Sequence, residues 1–326
     1  MTRRGWGLFA AMGVIWGIPY LLIRVAVRDV TPGTLVFART LIGGLVLLPF
    51  AVRAGGFGPV LRRWKPLVAF TAIEVAGPWL LLGDAETKLS SSLTGLLVSA
   101  VPLMGVLVAR ISGSDEKMDA ARAAGLVLGV VGVAMLVGVD VGHVHARPLI
   151  EIALVAIGYA VGPVIMDRSF SDIPSIPVVS ATMLLCAAGY LPYAATHVPD
   201  HLHAKPLSSI IVLGVVCTAV AFVTFFALIA EIGPTRSTVI TYVNPAVALL
   251  LGIALLGEKF TLGMAIGFPM ILLGSVLAAR KKAVPEGAGV ESVDADETVG
   301  GLEDGGNDAR PVLGAEPVDL DPVERL

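Results

Sequence analysis

The chain has 326 residues, of which 56% are hydrophobic and 15% charged, with a mean hydropathy of +0.85. A soluble globular domain of this length would have to expose much apolar surface to carry that composition, so it is excluded and the bilayer becomes the natural solvent. The net charge of −3 hides an asymmetry: residues 283–326 hold twelve Asp and Glu against Arg310 and Arg325, which leaves the body at +7.

A crossing needs about 20 apolar residues at about 1.5 Å rise each. On that basis helices are predicted at 7–27, 32–51, 66–83, 89–109, 122–139, 149–166, 176–196, 208–230, 234–256 and 262–279. The first follows Arg3 and Arg4 but has no clear small-residue cleavage site after it, so it reads as a span and not a removed signal. Pro32, Pro66 and Pro234 stand at helix starts, where a missing N–H costs nothing. Pro19, Pro78, Pro102, Pro163, Pro192, Pro245 and Pro269 fall inside spans and predict kinks or breaks. Cys186 and Cys217 lie in apolar runs and read as packing residues. Residues 281–326 are acidic, rich in Gly and Pro and nearly free of aromatics, a composition expected to remain disordered.

Lys and Arg collect on alternate loops. With a cytoplasmic N-terminus, fourteen fall on the cytoplasmic side, including Arg3, Arg4, Arg53, Arg62, Arg63 and Lys65, against five or six outside. The positive-inside bias predicts cytoplasmic N- and C-termini in the cell membrane, with the acidic tail cytoplasmic too. His143, His145, His197, His201 and His203 all fall in outer loops, where solvated residues account for them better than a metal site; no metal is expected.

The chain also repeats itself weakly at an offset of about 143 residues: Pro102 recurs as Pro245, Thr94 as Ser237, Trp16 as Tyr159, and Glu116-Lys117 as Glu258-Lys259. Each copy carries five predicted spans. Five is odd, so the second copy starts on the opposite face of the membrane, an inverted repeat of the kind found in secondary transporters. The expected fold class is therefore an all-α polytopic membrane protein of ten transmembrane helices, with one repeat at 1–140 and the other at 149–280.

Trp16-Gly17, the Arg39 segment, Ser92-Leu93-Thr94 through Pro102, Gly125 to Leu136, the Ser237, Tyr242, Asn244, Pro245 series and Leu255-Leu256-Gly257-Glu258 occur in order. In this the chain resembles the EamA-domain family of the drug/metabolite transporter superfamily over residues 7–279. The resemblance implies two five-helix bundles around a central cavity, with the fifth and tenth helices as outer supports or as a homodimer contact. Ile18-Pro19-Tyr20 departs from the small polar residue and aromatic common after Trp-Gly in the family, and Asp115-Glu116 replaces the Gly-Glu pair.

Ionisable side chains inside a bilayer are costly, so each is a functional candidate. Arg39 and Glu74 are the clear cases, at depths of roughly 11 Å and 14 Å from the outer ends of their helices. An Arg39–Glu74 ion pair or a shared water-filled site is expected. Arg39 would attract an anionic substrate group or Glu74 would carry protons; the alternative is a pair that only pins two helices together. Trp16, Tyr20, Trp79, Tyr159 and Tyr242 are candidate cavity aromatics, with helix packing as the competing role. Asn244 beside the carbonyl freed by Pro245 offers polar contacts at mid-membrane, and Thr94, Ser99 and Ser237 are weaker candidates because such hydroxyls often bond their own helix. Pro102, Pro245, Glu116 and Glu258 are candidate gate or hinge residues, though Glu-Lys pairs also simply stop helices at the interface. Gly13/Gly17, Gly125/Gly129, Gly158/Gly162 and Gly263/Gly267 permit close helix contact.

Zinc-protease, nucleophile-elbow and phosphate-loop motifs are lacking, so no enzymatic activity and no cofactor are expected. The expectation is a secondary transporter of a small metabolite, amino acid or drug working by alternating access, with export as the leading direction, import or exchange of a similar solute and, after those, a polytopic membrane enzyme as the alternatives, and protons as a candidate coupling ion. Its partners are the substrate and the bilayer, not nucleic acid.

Overall fold

The computed structural model describes residues 1–111, 119–140, 146–237 and 239–278. Glu116, His143, His145 and the acidic segment from 281 onward lie outside the described residues. Eight helices are long and apolar enough to cross a membrane: α1 Arg3–Ala26, α2 Pro32–Arg53, α3 Trp64–Glu86, α4 Ser91–Ile111, α5 Ala120–Gly138, α6 Ala146–Phe170, α7 Ser175–Thr196 and α8 Ala204–Ile232. Two shorter apolar helices follow, α9 Ile240–Leu256 and α10 Leu262–Ala278. Among the described residues there is no strand.

The expected ninth helix at 234–256 is divided: a single helical turn, Pro234–Ser237, precedes α9. The prolines also act unequally. α1 breaks at Ile18 ahead of Pro19, and α4 is interrupted at Ser99 and Ala100 just before Pro102, where the ring cannot return a bond to the carbonyl one turn back. Helices run unbroken through Pro163, Pro192, Pro245 and Pro269.

Two interruptions have no simple sequence signal. α3 widens to a π-helix at Thr71–Ala76 and α8 does so at Val215–Val220, nearly the same place in each half. Pro78 follows the first, and Tyr190 donates to the Ala76 carbonyl at 2.9 Å. In the second, the Thr218 hydroxyl donates to the Leu213 carbonyl at 2.8 Å, inserting itself into the ladder.

Packing joins α1 to α8 and α9, α2 to α7, α3 to α6, α4 to α9 and α5 to α10. Gly17, Gly125, Gly162 and Gly267 sit on these seams. A Cβ on Gly17 would lie 2.5 Å from the Val247 Cβ, and one on Gly132 would lie 2.8 Å from the Gly267 carbonyl, so α1 with α9 and α5 with α10 approach nearly backbone to backbone.

Loops are tied in polar fashion. Arg63 grips Asp172 at 2.6 and 2.7 Å, and His203 donates its main-chain N–H to Asp29 at 2.8 Å while its Nδ1 stands 2.8 Å from the same oxygen. The His203 main chain and imidazole hold the Asp29 carboxyl below the usual carboxylate range. A carboxyl depressed in the folded state stabilises the fold above its unfolded value, near about 3.9, and loses that contribution as pH falls through its native value. Asp29→Asn is accordingly expected to melt below the parent protein at neutral pH, with the gap closing in strong acid; a gap of constant size in a thermal unfolding series across pH would remove Asp29 as the cause.

Candidate functional site

One cavity of about 360 Å³ lies where α1, α2, α3, α4, α6, α8 and α9 converge. Its charged lining residues are Arg39 and Glu74. The breaks in α1 and α4 and both π segments border it, so the helices are irregular where they face an internal space, the setting in which a bilayer tolerates unsatisfied backbone.

Arg39 is held on two sides. Its Cζ stacks 3.6 Å from the centre of the Trp79 ring, and its Nε donates to Thr218 Oγ1 at 3.1 Å. Because the Thr218 hydroxyl spends its proton on Leu213, its oxygen is left to accept from Arg39. The guanidinium's terminal amino groups have no acceptor among the described residues.

Glu74 occupies the π segment of α3, and among the described residues neither carboxylate oxygen accepts a hydrogen bond; Oε2 is buried without a partner there. Gly162 of α6 makes room for it, since a Cβ there would fall 2.6 Å from the carboxyl carbon. The expected Arg39–Glu74 ion pair is not formed: Trp79 and Thr218 hold the arginine, while the wider π turn seats the glutamate against α6. The two share one cavity instead.

Trp16, Tyr20, Ser99, Asn244, Pro102 and Pro245 also line this space, as do Trp79 and Tyr159. Trp16 packs on Phe225 at 4.7 Å and edge-on to Phe222 at 6.0 Å, forming an aromatic wall. The Asn244 amide, oriented with nitrogen donating, bridges the Ile240 and Gly13 carbonyls at 3.0 and 3.1 Å, so part of its polarity ties α9 to α1. Ser99 spends its proton on Leu96 within its own helix.

Thr94, Ser237 and Tyr242 are not brought to the cavity. Thr94 is fully buried where α4 packs on α9 and its hydroxyl donates to the Ser90 carbonyl at 2.9 Å; Ser237 likewise bonds Gly233 at 2.8 Å. Glu258 stands apart as well, accepting from the N–H groups of Ser91 and Ser92 at 2.8 and 2.9 Å and so capping α4 from the far half of the chain. Thr218, Phe222 and Phe225 were not legible as site residues, because ordinary apolar and hydroxyl residues in a span carry no mark of the face they present. Among the described residues no cluster of three or more His, Cys, Asp or Glu could hold a metal ion.

The EamA-like transporter family matches residues 3–138 and, separately, 147–280. The chain belongs to the EamA-like transporter family. Similar proteins include the "Uncharacterized inner membrane transporter YedA" of Escherichia coli (strain K12), 27% identical over 85% of this chain and 90% of that one. The "Uncharacterized transporter YvbV" of Bacillus subtilis (strain 168) is 23% identical over 87% and 94%. The "Probable terminal-alkyne amino-acid exporter" of Streptantibioticus cattleyicolor is 24% identical over 85% and 91%. A solved crystal structure shares the fold with a TM-score of 0.62 at 21% identity, covering 86% of this chain and 97% of that one. This EamA protein is thus a multi-pass membrane transporter whose family module occurs twice, and the cavity sits where helices from both modules meet.

Proposed function

We propose that this transporter exports a small metabolite, amino acid or drug by alternating access, and that all ten helices cross the membrane as two inverted five-helix repeats with both termini cytoplasmic. The packing pairs support the repeat. Advancing each helix by five turns α1·α8 into α6·α3 and maps α2·α7, α4·α9 and α5·α10 onto themselves. At 17 residues each, α9 and α10 reach about 26 Å, short of the roughly 30 Å hydrocarbon core by an amount that bilayer thinning absorbs. α5 and α10 bury their glycine seam against each other, so a homodimer through this pair would use the outward faces carrying Val127, Val130 and Leu273.

The observation that carries the substrate reading is the separation of Arg39 from Glu74 within one cavity. Arg39 offers unpaired donors for a carboxylate or similar anion, and Glu74 offers an unpaired carboxylate for an ammonium or a proton. A small zwitterion with an apolar side chain against Trp16, Phe222 and Phe225 satisfies both, and an amino-acid export role for one relative agrees with that chemistry. Import or exchange of a similar solute is the second reading. Glu74→Gln is expected to transport without proton coupling; coupling unchanged from the parent protein, measured as flux against an imposed pH gradient, would remove Glu74 as the proton carrier.

A further inference from the structure

Glu86 ends α3 at the outer face and is fully buried, yet among the described residues neither of its carboxylate oxygens has a hydrogen-bond partner. The nearby Arg24 guanidinium donates to the Glu86 main-chain carbonyl and leaves the carboxyl unsatisfied. Enclosing a bare carboxylate costs several kcal/mol, so this group requires a companion charge.

The same corner holds the tie between the two halves. Glu258, arriving from the turn after α9, accepts from the main-chain N–H of Ser91 and Ser92 and from the Ser91 hydroxyl at 3.1 Å. Gly252 of α9 makes the approach feasible, because a Cβ there would lie 3.0 Å from Ser91 Oγ. Glu86 is within electrostatic reach of Glu258, of Arg24 and Tyr20 on α1, of Arg39 on α2 and of Tyr159 on α6. Beyond it, Asp84 and Lys88 join Arg147 and Glu151 of α6 in an ion-pair network at 2.7 to 3.0 Å, which engages Glu151 through Oε1 and leaves its buried Oε2 without a partner among the described residues.

We propose that Glu86 is a cation-loading site, taking a proton or a sodium-sized cation, and that its loading lets Glu258 clasp α4 and keep the outer end of the cavity shut. Unloaded, Glu86 is an anion enclosed beside the Glu258 anion. Their repulsion, together with the cost of the bare buried charge, favours parting the clasp and admitting water. The inference rests on the alternating-access reading and adds to it a place where a coupling ion acts at a distance from Glu74.

Cys217 lines the cavity and serves as a reporter that needs no substrate. With Cys186→Ala as background, a membrane-impermeant maleimide is applied from outside to right-side-out vesicles, and the labelling rate is divided at each pH by that of the folded Glu258→Gln protein, whose Cys217 has the same surroundings, to cancel thiol chemistry. The proposal predicts that the ratio rises at least several-fold from acidic to alkaline buffer. Glu86→Gln stays slow throughout, and Glu258→Gln is fast throughout. If sodium in place of choline slows labelling at alkaline pH, the companion is a metal cation; if it has no effect, the companion is a proton. A ratio independent of both pH and sodium in the Cys186→Ala protein overturns the proposal even if Glu86→Gln does not fold. Failure of a membrane-permeant maleimide to reach Cys217 from either side would instead defeat the alternating-access reading.

Discussion

Arg39→Gln is expected to lower transport by about 10- to 150-fold while leaving the folded protein as stable as before. A hydrogen bond to a charged group is worth about 1.5–3 kcal/mol, which is that factor in affinity. The substitution removes the donors offered to a substrate anion, but it also relieves the cost of holding a cation, 7% exposed, among apolar walls. Gln can still reach Thr218, so no buried acceptor is stranded. Arg39→Lys separates charge from geometry: it keeps the cation but loses the plane stacked on Trp79 and the Nε bond, and recovers only part of the activity. Flux and thermal unfolding measured together decide the matter. A large fall in melting temperature with flux per folded molecule preserved would make Arg39 a structural residue.

Gly274→Val is expected to destabilise the bundle by about 1–3 kcal/mol or more, because overpacking against rigid atoms leaves no side chain to yield. A Cβ at Gly274 would stand 2.5 Å from the Gly129 main-chain nitrogen and 2.6 Å from the Gly125 carbonyl oxygen, so α5 and α10 must separate along their whole seam. Gly138→Ala provides the contrast, since a Cβ there meets nothing within 4 Å and gains roughly 0.5–1 kcal/mol of helix propensity. Equal melting temperatures for Gly274→Val and the parent protein would show that the seam is not close-packed.

Hydropathy alone located the helices, because a bilayer demands long apolar runs, and it located Arg39 and Glu74, because a charge stands out within such a run. Glu86 escaped notice for the same reason: at a helix end a glutamate reads as the start of a loop, and only its full burial with neither carboxylate oxygen partnered among the described residues distinguishes it. Thr94 and Ser237 were weaker candidates because hydroxyls in spans often bond their own helix, and both do so, to the carbonyls of Ser90 and Gly233. Thr218 shows the converse, an unremarkable residue made important by the π turn around it. The π segments themselves arise from a hydrogen-bond ladder responding to Pro78 on one side and a threonine hydroxyl on the other, neither of which announces a π turn in advance. Pro163 and Pro245, expected to kink or break their spans, lie inside helices that run on without a break.

We propose that the cavity holding Arg39 and Glu74 is a substrate site served from both faces of the membrane. The direct measurement is flux of candidate zwitterionic solutes by purified protein in liposomes, in both directions, with a proton gradient imposed each way. The expected result is saturable, gradient-sensitive flux that Arg39→Gln lowers by about 10- to 150-fold and Glu74→Gln uncouples. Flux that both substitutions leave at the parent rate and coupling would contradict it.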